Sequence, residues 1–479
     1  MAIDTFANTQ LSANQILKKY FGYDEFREGQ KEIVESIMSG HDTLAIRSTG
    51  SGKSICFQVP ALYYPGTTLV ISPLISLMAD QVDALNKLDI PASFINSSLS
   101  NQESQQRMKN LMTQQYKLVY LSPEKLGSKS FAQILPQLKV NFIAIDEAHC
   151  ISMWGHDFRP SYQQIPRFIS CLPTKPVLGI FTATATDRIM ADIKQWLNLE
   201  HPVVFKQSAL RTNLNLNVIH CQSRAEKQLV LIKLLKNYQE KTGIVYCTTR
   251  KSTQIIADMI NLLNIRQQLS DSKAEAYHGG LEAERRAEIQ DLFMSNQSKI
   301  ICATNAFGMG VDKSDIRYVI HYQLPANLEN YYQEVGRAGR DGDKSECFLL
   351  YCEEDVYIQQ RLLSNKTGAR LKIEQEKLLI ITKAMTQGGC LQQALAEYFS
   401  DPVDQPCGKC GFCRQYHINL NGSEQENLRQ IQDHELLADL PFQTQYFIAL
   451  LSPKTYEEWL AIPGIGQGVL EQMRNSGLV

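Results

Sequence analysis

Long apolar stretches are missing from this sequence. No apolar run among its 479 residues approaches the roughly 20 residues that a membrane-spanning helix requires. The first ten residues have neither a basic region nor an apolar core, so a secretory signal peptide is not expected. The formal net charge is only −2, which excludes a global attraction to nucleic acid and restricts such binding to local basic surfaces. These absences favour a protein of the cytoplasm.

Cysteine usage fits a reducing compartment. Of the twelve cysteines, most stand singly in apolar segments, where a small buried hydrophobic residue is the simplest role. Examples are Cys56, Cys221, Cys247 and Cys302. Hydrophobic residues make up 44% of the chain and charged residues 20%, as in globular proteins. The length allows two to four domains, each with an ample core.

The chain is organised around a glycine-rich turn between a predicted strand, Thr43–Ile46, and a predicted helix, Ile55–Tyr63. The turn consists of Thr49, Gly50, Ser51, Gly52, Lys53 and Ser54. This order predicts a phosphate-binding loop, because glycines let backbone N–H groups face the phosphates and the helix N-terminus adds positive charge. Lys53 would bridge the β- and γ-phosphates, and Ser54 would bind Mg²⁺. Arg47 departs from the eight-residue consensus, because it stands at the first glycine position.

A segment upstream of this loop offers groups that could recognise adenine. Tyr23 provides a stacking face, Arg27 a planar cation, and Gln30 an amide with both a donor and an acceptor. Taken alone, Tyr23 and Phe26 are more simply interpreted as core aromatics. Their position ahead of a phosphate loop favours the nucleotide role, so we predict that Tyr23, Arg27 and Gln30 contact the base.

A hydrophobic strand, Phe142–Ile145, ends in two adjacent carboxylates, Asp146 and Glu147. In a nucleotide hydrolase the first carboxylate holds Mg²⁺, and the second orients or deprotonates the attacking water. The alternative is an acidic N-cap after a strand. Because a phosphate loop precedes this pair, we predict the catalytic role.

Aromatic residues are concentrated directly after the carboxylates. Trp154, Phe158 and Tyr162 are spaced i, i+4, i+8, which would fit a buried helix face, but Gly155 and Pro160 favour a loop. An aromatic loop beside a hydrolysis centre suits base stacking and phosphate contact. The residues predicted to bind nucleic acid are Trp154, His156, Phe158 and Arg159.

Small hydroxylated residues follow the next predicted strand, Val177–Phe181. Thr182, Thr184 and Thr186 could hydrogen-bond the acidic pair and relay its state. They could equally cap the following helix, and the sequence leaves both interpretations open.

The segment Trp154–Tyr162 after Asp-Glu-Ala-His, with Phe26, Arg27 and Gln30 upstream, closely resembles the RecQ DNA helicases of superfamily 2, DExH type. The resemblance covers roughly residues 11–413. It implies an α/β protein with two tandem RecA-like parallel-sheet domains, a helical zinc-binding module and a short helical C-terminal tail. We predict boundaries at 1–207 for the ATP-binding domain, 208–345 for the second RecA-like domain, 346–418 for the zinc module and 419–479 for the tail.

The second α/β domain has no phosphate loop of its own and should serve the nucleotide of the first. Gln333, Arg337 and Arg340 are the residues predicted for that role. The two arginines are spaced i, i+3, which predicts a shared helical face, and the alternative is a surface ion-pair helix. The glycines of this segment, Gly336, Gly339 and Gly342, argue against that alternative, and the resemblance implies an arginine-finger motif. It also places Arg250 and Thr304 in segments for strand contact and interdomain coupling.

Four cysteines near the C-terminus differ from the others in their spacing. Cys407, Cys410 and Cys413 form two overlapping Cys-x-x-Cys pairs, and Cys390 stands upstream. We predict a four-thiolate zinc site with no open position, which makes it structural. The spacing around a helix also resembles the zinc module of the RecQ family.

The resemblance weakens after Cys413. Asn419–Asn427 is polar and predicts a linker, and Leu436–Leu460 is predicted to be helical. The turn Pro463–Gly468 resembles a helix-hairpin-helix, whose amides can hold a DNA phosphate, although a plain hairpin between packed helices fits equally well. A complete winged helix does not fit here, so we expect a short family form without that strand-separating hairpin.

Together these features predict an ATP-dependent DNA helicase that uses ATP, Mg²⁺ and Zn²⁺. The resemblance implies 3′–5′ movement on single-stranded DNA, unwinding of forked or branched DNA in repair and recombination, and a nucleoid-associated location. We expect a monomer. The alternatives are a DNA-stimulated translocase that does not unwind, a nucleic-acid-binding scaffold with a dead ATPase, and an RNA helicase.

Overall fold

In the computed structural model, the described residues are 10–48, 50–267, 273–308, 311, 313–418, 437, 440, 444, 448, 455–460, 462 and 464–475. They form two compact units. The first runs through Arg211 and also contains Gly308, Val311 and Gln393–Asp404, and the second holds the rest. No helix in the described part of the chain is both long and apolar enough to cross a membrane.

A seven-stranded parallel sheet forms the centre of the first unit, in the spatial order β3-β4-β2-β5-β6-β1-β7. Its strands are β1 (Thr43–Ile46), β2 (Thr68–Ile71), β3 (Ala92–Ile95), β4 (Leu118–Leu121), β5 (Phe142–Ile145), β6 (Val177–Thr182) and β7 (Val203–Lys206). Strands β5, β6 and β1 are neighbours, so their carboxyl ends meet at one edge of the sheet. The phosphate loop and the carboxylate pair both begin at this edge.

Helices cover both faces of this sheet. They are α1 (Ala13–Ile16, continued by a π-helical turn at Leu17–Phe21), α2 (Gln30–Met38), α3 (Ile55–Tyr63), α4 (Ile75–Lys87), α5 (Asn101–Met112), α6 (Pro123–Leu126), α7 (Lys129–Ile134), α8 (Ile165–Ser170) and α9 (Asp187–Trp196). Short 3-10 turns lie at Leu135–Gln137, Ala148–Ile151 and Pro160–Gln164. Leu44 and Ile46 enter one buried cluster and Ala45 enters the other, because successive strand residues point to opposite faces.

A six-stranded parallel sheet forms the second unit, in the order β10-β11-β9-β12-β13-β8. Its strands are β8 (Leu214–His220), β9 (Thr242–Tyr246), β10 (Ala274–Tyr277), β11 (Ile300–Ala303), β12 (Ile316–His321) and β13 (Ser345–Tyr351). The later helices are α10 (Arg224–Asn237), α11 (Arg250–Gln267), α12 (Ala283–Met294), α13 (Leu328–Val335), α14 (Glu354–Leu363), α15 (Gly368–Thr386), α16 (Leu391–Tyr398) and α17 (Gly411–Arg414).

The architecture of two RecA-like parallel sheets, followed by a helical cysteine-bearing region, confirms the predicted fold class. Strand β13 pairs with β8 and β12 and continues to Tyr351, so the second sheet extends past the boundary predicted at residue 345. The described residues of the tail include the short helices α18 (Tyr456–Leu460) and α19 (Gln467–Asn475). Trp459, Ile465 and Leu470 are buried there in the same cluster as helix α10. The linker predicted at 419–427 and much of the helix predicted at 436–460 lie outside the described residues.

Candidate active site

The phosphate loop follows strand β1 directly. The Arg47 N–H donates to Thr182 O at 3.0 Å, which continues the pairing of β1 with β6 to the start of the loop. Gly50 and Gly52 have φ values of 80° and 77°, a left-handed conformation that glycine adopts without strain. Ser54 stands at the N-cap position of α3, so the loop ends at a helix N-terminus as predicted. Thr49 lies outside the described residues.

Side chains from the segment before α2 hold the carbonyl groups of this loop. The Arg27 guanidinium donates to Gly50 O at 3.2 Å, and the Gln30 amide donates to Ser51 O at 3.2 Å and Gly52 O at 3.0 Å. The Gln30 Oε1 accepts from the Arg27 N–H at 2.8 Å, so both ends of this amide are engaged within the protein. Tyr23 is 57% exposed. The structure thus places Gln30 on the phosphate loop and leaves Tyr23 accessible for stacking.

The predicted carboxylates lie at the same edge of the sheet. Asp146 follows β5 and is buried, and its Oδ1 accepts from the Glu147 N–H at 2.9 Å. Burial, reinforced by the charge of Glu147, raises the pKa of Asp146 to about 7, while the Lys53 charge acts in the opposite direction. Glu147 has a φ of 47°, so a non-glycine residue is held in the left-handed region. Lys53, Asp146 and Glu147 therefore form one electrostatic group.

His149 connects the carboxylates to neighbouring segments. Its Nδ1 lies 3.0 Å from Thr182 Oγ1 and 3.3 Å from Glu147 Oε2. Thr182 also donates to Thr184 O at 3.0 Å, whereas the Thr186 side chain caps α9. The capping interpretation thus holds for Thr186, whereas Thr182 contacts His149 and not the acidic pair itself, and the relay stays a prediction.

The aromatic segment after the carboxylates forms a loop between two 3-10 turns, in agreement with the sequence prediction. Gly155 is required where the loop passes His149, because a Cβ there would lie 2.1 Å from the His149 carbonyl oxygen. The ring of His156 stacks on that of His149, with centroids 4.1 Å apart and planes 22° apart. The Tyr162 hydroxyl donates to Asp146 O at 2.8 Å. Two contacts therefore join this loop to the carboxylate pair.

Two other side chains of the loop are held by neighbouring groups. The Arg188 guanidinium lies 3.5 Å from the centre of the Trp154 ring, a cation–π contact that sequence reasoning missed. Arg159 forms an ion pair with Asp157 at 2.9 Å and donates to Pro73 O at 3.0 Å. Phe158 is half-buried. The predicted residues are thus gathered in one loop whose side chains are largely fixed.

In the second unit, the prediction of a shared helical face for Arg337 and Arg340 is wrong. Helix α13 ends at Val335, and both arginines lie in the turns that follow, while Gln333 remains on the helix. Gly339 has a φ of 57°, and its N–H donates to Ile316 O at 2.9 Å, so the backbone leaves the helix to meet the edge of β12. The glycines that we interpreted as functional, Gly336 and Gly339, also lie where helix α13 ends.

The remaining predicted contacts lie near neighbouring strand ends of the second unit. Arg250 begins α11 and lies against Gly280, where a Cβ would be 2.8 Å from the guanidinium. Thr304 follows β11 and is buried, and its Oγ1 accepts from the Ala306 N–H at 3.4 Å. Strands β11 and β9 are adjacent, so the two segments that carry Thr304 and Arg250 share the edge of the sheet.

A polar cavity of about 230 Å³ also opens in the second unit. Sequence reasoning missed it, because its lining comes from five separate segments. His321, almost completely buried, contacts Glu334 of α13 at 2.8 Å. The other polar residues of the lining include Thr248, Asn305, Gln323 and Asn330.

The four predicted cysteines come together as a metal-binding cluster. The Sγ atoms of Cys390, Cys407, Cys410 and Cys413 all lie within 4.8 Å of one another. Tetrahedral zinc with Zn–S bonds of roughly 2.3 Å would place the sulfurs about 3.8 Å apart, so the set fits zinc with a small contraction. Backbone N–H groups of Cys407, Lys409 and Cys410 donate to cysteine sulfurs at 3.2–3.4 Å, which favours the thiolate form.

Comparison with known families agrees with this arrangement. Residues 27–193 match the DEAD/DEAH box helicase family, residues 226–342 match the helicase conserved C-terminal domain, and residues 353–414 match the RecQ zinc-binding family. Together these matches place the chain among the helicase families, with an added zinc-binding domain. In its fold, the chain resembles yeast Dbp5, solved bound to RNA and ADP BeF3, with a TM-score of 0.58 and 17% identity over 80% of this chain and 100% of that one. It also resembles the Mycobacterium smegmatis helicase Lhr bound to ssDNA and AMP-PNP, with a TM-score of 0.57 and 18% identity over 89% of this chain and 57% of that one.

Full-length relatives identify the family more narrowly. The chain is 42% identical to an ATP-dependent DNA helicase RecQ of Bacillus subtilis and 40% identical to that of Pasteurella multocida, each over 84% of this chain. It spans 66% and 62% of those relatives, just under two thirds of their length. It is 36% identical to the probable ATP-dependent DNA helicase RecS of B. subtilis, over 87% of this chain and 94% of that relative. The chain belongs to the RecQ family.

Proposed function

We propose that this protein is an ATP-dependent DNA helicase that moves 3′–5′ on single-stranded DNA and unwinds forked or branched duplexes. The names of the RecQ relatives support a DNA helicase activity. The first unit supports the use of ATP, since it carries a phosphate loop and a carboxylate pair at one sheet edge. The direction of movement, the role in repair and recombination, and the nucleoid-associated location are proposed from the family resemblance. Monomeric action is part of the same proposal.

The nucleotide would bind along the edge formed by β5, β6 and β1. Tyr23 would stack on adenine, Arg27 and Gln30 would lie beside it, and the N–H groups from Gly50 to Lys53 would face the phosphates. Ser54 and Asp146 would hold Mg²⁺, which supplies positive charge to the phosphate oxygens when bound. Asp146 fits a cation ligand, because its buried carboxylate is destabilised by Glu147 and its pKa is raised to about 7. A divalent cation would remove that penalty.

Glu147 would act on the attacking water. Its carboxylate is held near His149, at 3.3 Å, so it has a fixed direction from which to orient the water or accept its proton. Gln333, Arg337 and Arg340 of the second unit are proposed to reach the nucleotide phosphates during hydrolysis. Arginine presents a planar fork that matches phosphate oxygens, and such a residue contributes about 10³–10⁵ in rate in related nucleotide hydrolases.

DNA would act on hydrolysis through the aromatic loop. Trp154, His156, Phe158 and Arg159 are proposed to contact the strand, with Arg250 and Thr304 contacting it from the second unit. The single observation that carries this coupling is the stack of His156 on His149, because His149 in turn contacts Glu147. A base or phosphate that shifts His156 would disturb the ring that orients the catalytic carboxylate.

The test compares ATP hydrolysis with and without single-stranded DNA, then strand displacement on duplexes with 3′ or 5′ tails. We expect DNA-stimulated hydrolysis and displacement of the 3′-tailed and forked substrates. His156→Ala should lose stimulation by DNA, whereas the matched control His201→Ala, an exposed histidine outside the loop, should behave like wild type. Hydrolysis that is indifferent to DNA would overturn the proposal.

An RNA duplex forms the third arm of that test. A mimivirus relative, 39% identical over 89% of this chain, is named a putative RNA helicase. If the protein displaces strands of an RNA duplex but not of a DNA duplex, the proposed function becomes that of an RNA helicase. If DNA stimulates ATP hydrolysis but no duplex is unwound, the proposed function becomes that of a translocase that does not unwind DNA.

A further inference from the structure

Arg47 occupies the first glycine position of the phosphate-loop consensus, and its side chain is buried behind the loop. The residue is 3% exposed. Its Nη2 donates to Glu28 O at 2.8 Å and lies 3.5 Å from Ser51 O. One guanidinium therefore joins the segment ahead of α2 to the phosphate loop. These two segments are separated in sequence and carry the proposed adenine and phosphate contacts respectively.

The charge of Arg47 has no close counter-ion in the described part of the chain. Its hydrogen-bond acceptors are carbonyl oxygens, and Glu28 and Glu32 act on it only as more distant charges. Burial lowers the pKa of Arg47, but an arginine remains charged at neutral pH. Burying a cation without a paired anion is unfavourable. Packing alone therefore does not account for an arginine at this position.

Gly29 is shaped to this guanidinium. A Cβ at Gly29 would lie 2.7 Å from Arg47 Nη1, and the backbone there has a φ of +71°. The next residue, Gln30, begins α2 and reaches the phosphate loop. The close approach of Arg47 to residue 29 therefore sets where α2 and its glutamine begin relative to the loop.

Three successive loop carbonyls are held from the same side. Arg27 binds Gly50 O, Gln30 binds Ser51 O and Gly52 O, and Arg47 lies behind Ser51 O. Within a peptide unit the C=O and the following N–H point in opposite directions. Carbonyls fixed toward these side chains leave the N–H groups of Gly52 and Lys53 directed away from them, as a phosphate-binding loop requires, whereas the Ser51 N–H donates to Ser48 O at 3.2 Å.

We propose that Arg47 is a positioning residue that fastens the adenine-side segment to the phosphate loop and keeps the loop ready for a nucleotide polyphosphate. This inference rests on the proposed ATP site and deepens it. Its buried positive charge also favours the arrival of phosphate. The consequence is that nucleotide affinity depends on Arg47 much more strongly than the chemical step does.

Arg47→Met tests this by removing the donors and the charge while keeping an extended apolar side chain. Loss of the charge-assisted hydrogen bond to Glu28 O, together with the longer contact to Ser51 O of the loop, should raise the KM for ATP and the Kd of a fluorescent ADP analogue about tenfold. The kcat at saturating ATP and DNA should change less than about threefold, because the reacting groups are intact. Arg47→Lys keeps the charge but loses the planar guanidinium, so its Kd for the ADP analogue should lie between those of wild type and Arg47→Met.

Two further variants separate positioning from misfolding. Arg107→Met is the matched control, because Arg107 likewise donates to a backbone carbonyl, Phe94 O at 2.9 Å, but lies on α5; its Kd should match wild type. Gly29→Ala should weaken ADP binding by displacing Arg47, and this effect should shrink in the Arg47→Met background. Additive effects of Gly29→Ala and Arg47→Met would remove the proposed link.

The outcomes distinguish this inference from the proposed function. Folded Arg47→Met protein whose Kd for the ADP analogue lies within twofold of wild type would overturn the role of Arg47. If Arg47→Met does not fold, the Arg47→Lys and Gly29→Ala measurements decide in the same way. Wild-type protein that neither binds the analogue nor hydrolyses ATP would instead overturn the proposed function.

Discussion

A buried ion pair between Glu329 and Lys377 permits a quantitative prediction. Glu329 lies on α13, the helix that leads to Gln333 and Arg337, and Lys377 lies on α15, in the helical region before the cysteine cluster. Their side chains are 1% and 3% exposed and form a direct hydrogen bond. The second Glu329 oxygen has no hydrogen-bond partner in the described part of the chain. Removing Lys377 would therefore leave the buried Glu329 carboxylate without this ion pair.

Lys377→Met should destabilise the second unit by about 3–5 kcal/mol, the usual result of leaving one member of a buried pair unpaired. For a unit of this size that corresponds to a fall of roughly 10 °C in the unfolding midpoint. Glu329→Gln should act in the same direction. The double variant should be clearly more stable than the sum of the single effects predicts, because it leaves no unpaired buried charge.

Tryptophan fluorescence can follow this unit alone. Trp459 is buried in the core of the second unit, whereas Trp154 and Trp196 belong to the first and can be replaced by phenylalanine. Urea denaturation of this single-tryptophan protein gives the free energies of the cycle. Lys18→Met, which removes an exposed ion pair in the first unit, is the control and should leave the Trp459 transition unchanged. A Lys377→Met midpoint equal to wild type would refute the reasoning.

Other predictions concern the proposed sites. Lys53→Ala should abolish ATP hydrolysis in protein that still melts cooperatively; a near-normal rate in a phosphate-release assay would remove the nucleotide assignment. Trp154→Ala should retain basal hydrolysis but lose stimulation by single-stranded DNA, and persisting stimulation would make the loop purely structural. Cys410→Ser should lower zinc content, measured by metal analysis, and lower stability; wild-type protein without zinc would contradict this. Burial raises the pKa of Asp146 to about 7, so the unfolded chain loses this proton at lower pH than the folded one. Without Mg²⁺, the unfolding free energy of wild type relative to Asp146→Asn should therefore fall as the pH rises from about 4 to about 7, and a difference independent of pH in urea denaturation would argue against a buried acid.

Motifs that lie within one stretch of chain were predictable from the sequence. The strand before Lys53, the strand before Asp146 and the cysteine cluster each depend on local composition and spacing, and the structure contains all three. Strands β7, β8 and β13 were not predicted. In β8, Asn215 and Asn217 interrupt the apolar pattern, because they hydrogen-bond Glu346 of β13, a partner distant in sequence.

The positions of side chains were less predictable than the positions of strands. The helical spacing of Arg337 and Arg340 was misleading, because Gly339 meets Asn213 and Ile316, which no local pattern reveals. Gln30 is still predicted to lie beside adenine, but the sequence did not reveal that its amide donates to the phosphate loop. In both cases a tertiary contact decided the outcome, and the sequence pattern around the residue is unchanged by it.

The left-handed backbone of Glu147 has a consequence for engineering. A non-glycine residue in that conformation costs roughly 1 kcal/mol, which glycine would recover. A thermostability screen that ignores catalysis should therefore enrich Glu147→Gly, a variant that melts later and turns over nothing. Selection for stability and selection for the proposed catalytic role would therefore favour different residues at position 147.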